Sequence, residues 1–143
     1  MVDQGSATIR IAAPPAKVMA VIADVEAYPE WSSGIKSVTV DEAGDDGRPA
    51  TATFVLDAGV LQDTYTLAYD WSGEDRVDWN LVKGKALKSQ VGSYTLEADG
   101  DETSVTYRLS VELNIPMLGM FKRKAEKMIM DTALKGLKKR VEG

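Results

Sequence analysis

Aromatic residues at alternating positions are the feature of this chain whose types and spacing could do chemistry. Asp63, Tyr65, Leu67, Tyr69 and Trp71 are each two residues apart, so in an extended strand they share one face. A phenol enclosed on an apolar face needs a hydrogen-bond partner. Several phenols on one face therefore predict an enclosed space that also contains polar groups.

Later segments repeat the pattern. Trp79, Tyr94 and Tyr107 occupy apolar positions of alternating stretches, and Gln90 has the same parity as Tyr94. Aromatic residues at alternating positions are also common in hydrophobic cores. The alternation therefore leaves two interpretations open for each ring, a core contact or a ligand contact.

Asp63 is an acidic residue within an apolar stripe. At the end of its strand it either reaches solvent or is enclosed. If it is enclosed, desolvation would raise its pKa, and the carboxyl could act as an acid or base or bind a hydroxyl.

Composition limits the chemistry further. The 143 residues include no histidine and no cysteine, which removes the usual nucleophile pairs and nearly every zinc site. We expect no metal and no cofactor, so catalysis would fall to carboxylates, tyrosines, lysines, arginines or backbone amides. The length predicts a single domain over residues 1–143, and without a signal sequence or an apolar span we expect a cytoplasmic protein.

Charge is unevenly distributed along the chain. Residues 117–143 hold eight basic and three acidic residues, although the whole chain has a net charge of −5. An acidic body argues against a general nucleic-acid binder. The basic segment is either a solvated helix face or the site of a transient membrane or protein contact, and we expect a monomer or weak dimer.

The periodicity of the chain predicts its elements. A strand at 7–11 precedes a short helix opened by Pro14 and Pro15, and a second short helix runs through Trp31. Turn signals such as Asp99-Gly100 then separate further strands. We place these strands near 36–43, 49–57, 61–71, 75–82, 87–97 and 103–113.

After Pro116 the apolar spacing becomes helical and predicts one long helix from about Met117 to Val141. Its predicted inward stripe includes Phe121 and Met128. Met117, Met120 and Phe121 either form a pocket wall or, beside three cations, touch an anionic membrane.

This order of elements resembles the helix-grip, START-like superfamily (SRPBCC), and within it the polyketide cyclase/dehydrase and coenzyme Q-binding protein group. The segments that carry the resemblance are Ala13-Pro14-Pro15-Ala16-Lys17-Val18, Asp24-Val25-Glu26-Ala27-Tyr28-Pro29-Glu30-Trp31, Tyr94-Thr95-Leu96 and Thr103-Ser104-Val105-Thr106-Tyr107. The resemblance implies an α+β, Bet v 1-like fold. A curved antiparallel sheet of about seven strands would surround the long C-terminal helix, with two short helices after the first strand.

The resemblance also implies an internal cavity that binds a hydrophobic small molecule such as a lipid, a quinone or a polyketide-like aromatic, in a carrier or sequestering protein. Tyr28 and Trp31 would flank the cavity mouth. The predicted ligand contacts are Tyr28, Trp31, Phe54, Tyr65, Leu67, Tyr69, Trp71, Trp79, Gln90, Tyr94, Tyr107, Met117, Met120, Phe121 and Met128.

An enzymatic alternative stays open, a cofactor-free polyketide aromatase/cyclase or dehydratase that acts through Asp63, Tyr65, Tyr69 and Tyr107. Such enzymes are understood to use a pocket arginine, and no arginine of this chain has inward parity. This departure favours binding, because stabilising an oxyanion requires a preorganised donor.

Overall fold

Seven strands and three helical segments make up the fold. The computed structural model describes residues 5–32, 34–57, 62–114 and 119–143, and for residues 119–122 it describes the backbone alone. The helical segments are α1 (Pro15–Ala23), a 3₁₀ helix (Val25–Glu30) and α2 (Gly119–Glu142). The strands are β1 (Gly5–Ile11), β2 (Ile35–Ala43), β3 (Pro49–Asp57), β4 (Gln62–Ser72), β5 (Arg76–Lys83), β6 (Leu87–Asp99) and β7 (Glu102–Leu113).

The strands form one antiparallel sheet in the order β1-β7-β6-β5-β4-β3-β2. The first two strands of the chain therefore lie at opposite edges of the sheet. α1 and the 3₁₀ helix connect these edges, since α1 contacts β6, β7 and α2 and the 3₁₀ helix contacts β2. This is the helix-grip architecture that the sequence predicts, and each predicted strand agrees with the structure to within two residues.

α2 packs on β1, β7 and α1. Its buried side chains are Glu126, Met130, Leu134, Leu137 and Val141. As far as the structure describes the chain, neither α helix has the length and apolar character needed to cross a bilayer.

The predicted inward position of Met128 is wrong, because its side chain is 62% exposed on the outer face of α2. The helix is rotated relative to the apolar pattern so that Glu126 faces the sheet. There its Oε2 accepts a hydrogen bond from the Val111 backbone N–H at 2.8 Å. Glu126 thus occupies a buried position, although the apolar pattern predicts that this position faces solvent.

Gly136 brings α2 close to the end of the 3₁₀ helix. A Cβ at this position would lie 2.4 Å from the Trp31 carbonyl oxygen and 3.1 Å from its ring. Since Trp31 presents backbone there and cannot simply turn aside, the helix can approach this closely only without a side chain. Arg140, one turn further along, donates to Glu30 at 3.1 Å across the same junction.

We predict that Gly136→Ala destabilises the protein even though alanine is the better helix former. The added methyl group must push α2 away from Trp31, at a cost of about 1–3 kcal/mol in the free energy of unfolding. Urea denaturation measures this loss, and Lys135→Ala, an exposed neighbour, is the matched control. A Gly136→Ala protein as stable as the wild type would contradict the close approach.

Candidate ligand-binding site

Aromatic rings from four neighbouring strands, β4 to β7, meet on the concave face of the sheet. Tyr94 and Tyr107 are direct cross-strand partners with ring centroids 4.6 Å apart. Trp79 packs against both, at 5.3 Å from Tyr94 and 5.6 Å from Tyr107. Tyr69 lies opposite Trp79 on the adjacent strand and extends the contact at 6.2 Å.

A second aromatic group continues this wall toward the 3₁₀ helix. Phe54 and Tyr65 are cross-strand partners and stack at 5.4 Å with nearly parallel planes. Tyr28 lies 6.1 Å from Phe54 and meets Trp31 edge to face at 4.8 Å. The predicted aromatic contacts are therefore brought together, although core packing and ligand binding both remain consistent with this geometry.

All five tyrosines of the chain turn toward this interior. Burial raises the pKa of Tyr28, Tyr65, Tyr69, Tyr94 and Tyr107, and charge on a neighbouring tyrosine or carboxylate would raise it further. The tyrosines that act on one another's pKa include pairs from the 3₁₀ helix and from β4, β6 and β7. The interior thus contains several uncharged phenol groups. These groups can donate and accept hydrogen bonds, but they resist ionisation.

Most polar atoms on these rings have no hydrogen-bond partner in the part of the chain that the structure describes. The Tyr28 hydroxyl donates to the Ile22 carbonyl oxygen. Within the described residues, no hydrogen bond engages the hydroxyls of the other four tyrosines. The indole nitrogens of Trp31 and Trp79 are buried and likewise have no partner there.

Trp79 lies against the backbone of its neighbour in β6. A Cβ at Gly92 would come within 2.4 Å of the indole ring, so glycine is required for the ring to lie flat on the sheet. Sequence reasoning missed Gly92, although an isolated glycine within an alternating strand is itself the signal for such an approach.

Asp63 is enclosed, being 7% exposed, and its carboxylate organises the turn that joins β5 to β6. It accepts backbone N–H bonds from Thr64 at 2.8 Å, Lys85 at 3.0 Å and Leu87 at 3.0 Å. These three donors occupy both of its oxygens. The geometry therefore favours a structural role over the acid or base role that the sequence left open.

The remaining predicted contacts fall into three groups. Leu67 and Gln90 are buried. Trp71 is half-buried near the end of β4, where its Nε1 donates to the Pro49 carbonyl oxygen at 2.7 Å. Met117 and the side chains of Met120 and Phe121 lie outside the described residues.

Arginine side chains lie outside the aromatic interior. Arg10 and Arg76 form exposed ion pairs, and Arg48 stands over the Trp71 ring at 5.3 Å. Among the described residues no lysine or arginine is buried, and no group of acidic side chains could hold a metal ion.

The inward rings line neither of two surface depressions that the described residues form. One, of about 350 Å³, lies on the outer face of α2 between Lys124, Lys127, Met128 and Lys135. The other, of about 330 Å³, lies beside the β3–β4 hairpin and includes Lys36, Asp57 and Lys85. The internal cavity and the partner of the basic helix both stay predictions.

The chain matches a known protein family over almost its whole length. Residues 4–142 match the family described as polyketide cyclase/dehydrase and lipid transport. The chain belongs to this family. A search of the curated proteins found no match.

Solved structures agree in fold. A START superfamily protein from Mycobacterium smegmatis is 24% identical, with a TM-score of 0.90 over 97% of both chains. A protein from Thermus thermophilus is 25% identical, with a TM-score of 0.80 over 97% of both chains. An aromatase/cyclase from a Streptomyces species is 14% identical, with a TM-score of 0.77 over 99% of this chain and 94% of its own. The prediction of a START-like fold is confirmed.

The raised tyrosine pKa values predict a stability that falls at alkaline pH. Unfolded phenols ionise near pH 10, whereas the folded phenols hold their protons to higher pH. The free energy of unfolding therefore keeps its full value below about pH 10 and decreases as the pH rises above it. Ultraviolet absorbance of tyrosinate, recorded together with circular dichroism, should show ionisation and unfolding as one event. In urea, where the protein is unfolded, the same phenols should titrate near pH 10. If the phenols of the folded protein also titrate near pH 10, they are not enclosed.

We predict that Asp63→Asn lowers the free energy of unfolding by about 1–3 kcal/mol, because one acceptor oxygen becomes an amide donor facing backbone N–H groups. Urea denaturation checks this value. Asp70→Asn, at an exposed position of the same strand, is the control and should change stability little. Equal stability of both variants would argue against the structural role of Asp63.

Proposed function

We propose that this protein binds a hydrophobic small molecule, a lipid, quinone or polyketide-like aromatic, between the concave face of the sheet and α2, as a carrier or sequestering protein. The observation that carries the proposal is the convergence of five tyrosines and two tryptophans on one interior. The polar atoms of most of these rings have no hydrogen-bond partner among the described residues. A pure packing core favours apolar side chains in such places, since a buried polar group without a partner costs free energy.

The placement of α2 supports the same interpretation. Its described residues pack on β1 and β7, whereas many of the aromatic rings lie on β3, β4 and β5.

The enzymatic alternative, an aromatase/cyclase or dehydratase, has less support. Three backbone donors hold Asp63, and the raised pKa values keep Tyr65, Tyr69 and Tyr107 protonated. A protonated phenol can bind a carbonyl oxygen, but it is a poor base. These groups are therefore better suited to holding a ligand than to removing a proton from it.

We expect the purified protein to bind an uncharged polycyclic probe such as pyrene saturably, and organic solvent to extract an apolar compound from freshly purified material. Tyr107→Leu should weaken probe binding about tenfold or less, because it removes one ring of the wall at similar volume. Pyrene fluorescence titration measures this change.

Arg108→Ala is the matched control, because Arg108 follows Tyr107 in the same strand and is exposed on the other face. Both variants should retain the wild-type circular dichroism spectrum. If the wild type fails to bind pyrene, or if Arg108→Ala weakens binding as much as Tyr107→Leu does, the interior site is rejected.

A further inference from the structure

Exposed charges of opposite sign lie at opposite ends of the sheet. Strands β2 to β7 follow one another as antiparallel neighbours, so the β2–β3, β4–β5 and β6–β7 turns lie at one end and the β5–β6 turn lies at the other. The first three turns, which we call the acidic end, carry the exposed carboxylates of Asp45, Asp46, Glu74, Asp75 and Asp101. The β5–β6 turn and the residues beside it, which we call the basic end, carry the exposed side chains of Lys83, Lys85 and Lys88.

The chain itself does not neutralise either group of charges. Among the described residues, none of these carboxylates or lysines forms an ion pair. The arginines near the acidic end are engaged by other groups. Arg10 pairs with Asp99, Arg76 pairs with Asp78, and Arg48 donates to a backbone carbonyl oxygen of the β4–β5 turn. Each end therefore presents uncompensated charge to whatever approaches it.

The basic end also exposes apolar surface. Val82, which precedes Lys83, is 56% exposed, and Val91 on the neighbouring strand is 45% exposed. Asn80 pairs directly with Val91, and the alternation of side chains places Val82 on the same face as Asn80. The two valines therefore lie diagonally across β5 and β6, next to the lysines. A contact at this end would combine the burial of apolar surface with the attraction between charges.

A second copy of this chain is the partner that accounts for both ends. An anionic membrane or an acidic protein would engage the basic end and leave the acidic end without a role. Each copy has a net charge of −5, which opposes contact through most faces. At about 0.1 M salt, however, charges are screened beyond about 10 Å, so the ends that touch determine the interaction.

We propose that the acidic end of one copy docks on the basic end of another, with Val82 and Val91 at the contact. Because two different surfaces meet, the contact is head-to-tail, and each pair keeps one acidic and one basic end open for further copies. The association is weak, reversible and able to extend into short chains. It does not depend on the ligand proposed for the interior.

The wild-type protein gives the first test. Sedimentation velocity at about 0.1 M salt should show a mean sedimentation coefficient that rises with protein concentration, with a Kd of about 1 mM. At about 0.5 M salt the coefficient should return to the monomer value, because attraction between exposed charges is screened. In heteronuclear NMR spectra of the labelled protein, raising the concentration should shift amide signals of the turns at both ends and few others.

Charge reversal at each end gives the second test. Lys83→Glu combined with Lys88→Glu makes both ends acidic, whereas Asp45→Lys combined with Glu74→Lys removes most of the negative charge of the acidic end. Each double variant alone should stay monomeric. An equimolar mixture of the two should associate again, because the mixture restores an unchanged acidic end facing an unchanged basic end.

Lys135→Glu combined with Lys139→Glu is the matched control, since it makes the same change in net charge at exposed positions of α2. This variant should still associate. Asp46 and Lys85 stay unchanged in every variant, because the Asp46 carboxylate and the Lys85 backbone N–H take part in hydrogen bonds of their turns. The NMR measurement on the wild type decides the proposal even if a reversed variant does not fold.

Four results would overturn the proposal. The first is a wild type that stays monomeric at about 0.1 M salt, or whose amide shifts are confined to one end. The second is a control variant that dissociates as the end variants do, since net charge would then be the cause. The third is a mixture of the end variants that does not associate. The fourth is a monomeric wild type that binds phosphatidylserine vesicles and loses this binding with Lys83→Glu and Lys88→Glu, because the partner would then be a membrane.

Discussion

Enclosing an aromatic residue is favourable for its ring and unfavourable for its polar atom unless that atom finds a partner. This conflict governs the interior of the protein. The rings of Tyr69, Trp79, Tyr94 and Tyr107 join strands β4 to β7 through direct contacts of 4.6–6.2 Å. Their hydroxyl and indole groups are brought inside without partners in the described residues. The same rings that hold the sheet together therefore present hydroxyl and indole N–H groups that have no hydrogen-bond partner among the described residues.

Two close backbone approaches keep the aromatic interior in place. At Gly92 the sheet accepts the Trp79 ring directly, and at Gly136 helix α2 comes against the Trp31 carbonyl group. α2 is also tied at its far end, where Lys138 donates to the Arg10 carbonyl oxygen and Glu142 accepts from the Ala12 N–H, both at 2.8 Å. These contacts fix the helix over β1 and β7, whereas Phe54, Tyr65, Tyr69 and Trp79 lie on β3, β4 and β5.

The sequence predicted the fold well because alternation and turn residues are local signals. Strand positions, the antiparallel order and the inward parity of Tyr65, Trp79 and Tyr107 all follow from them. The α2 face was harder to predict. Met128 matched the apolar spacing but is exposed, while Glu126 faces inward because it satisfies the Val111 amide. This hydrogen bond joins two different elements, β7 and α2, so the helical periodicity of α2 alone could not predict it.

Asp63 shows the same limit at the site. Its parity correctly predicted an inward residue, but the parity could not reveal that the turn after β5 folds back and delivers the backbone amides of Lys85 and Leu87 to its oxygens. That structural role changes the functional interpretation of the whole interior. With the carboxylate occupied and the phenols kept protonated by burial, the described groups have little capacity to accept a proton from a bound molecule. Turnover of such a molecule would require a base supplied from elsewhere.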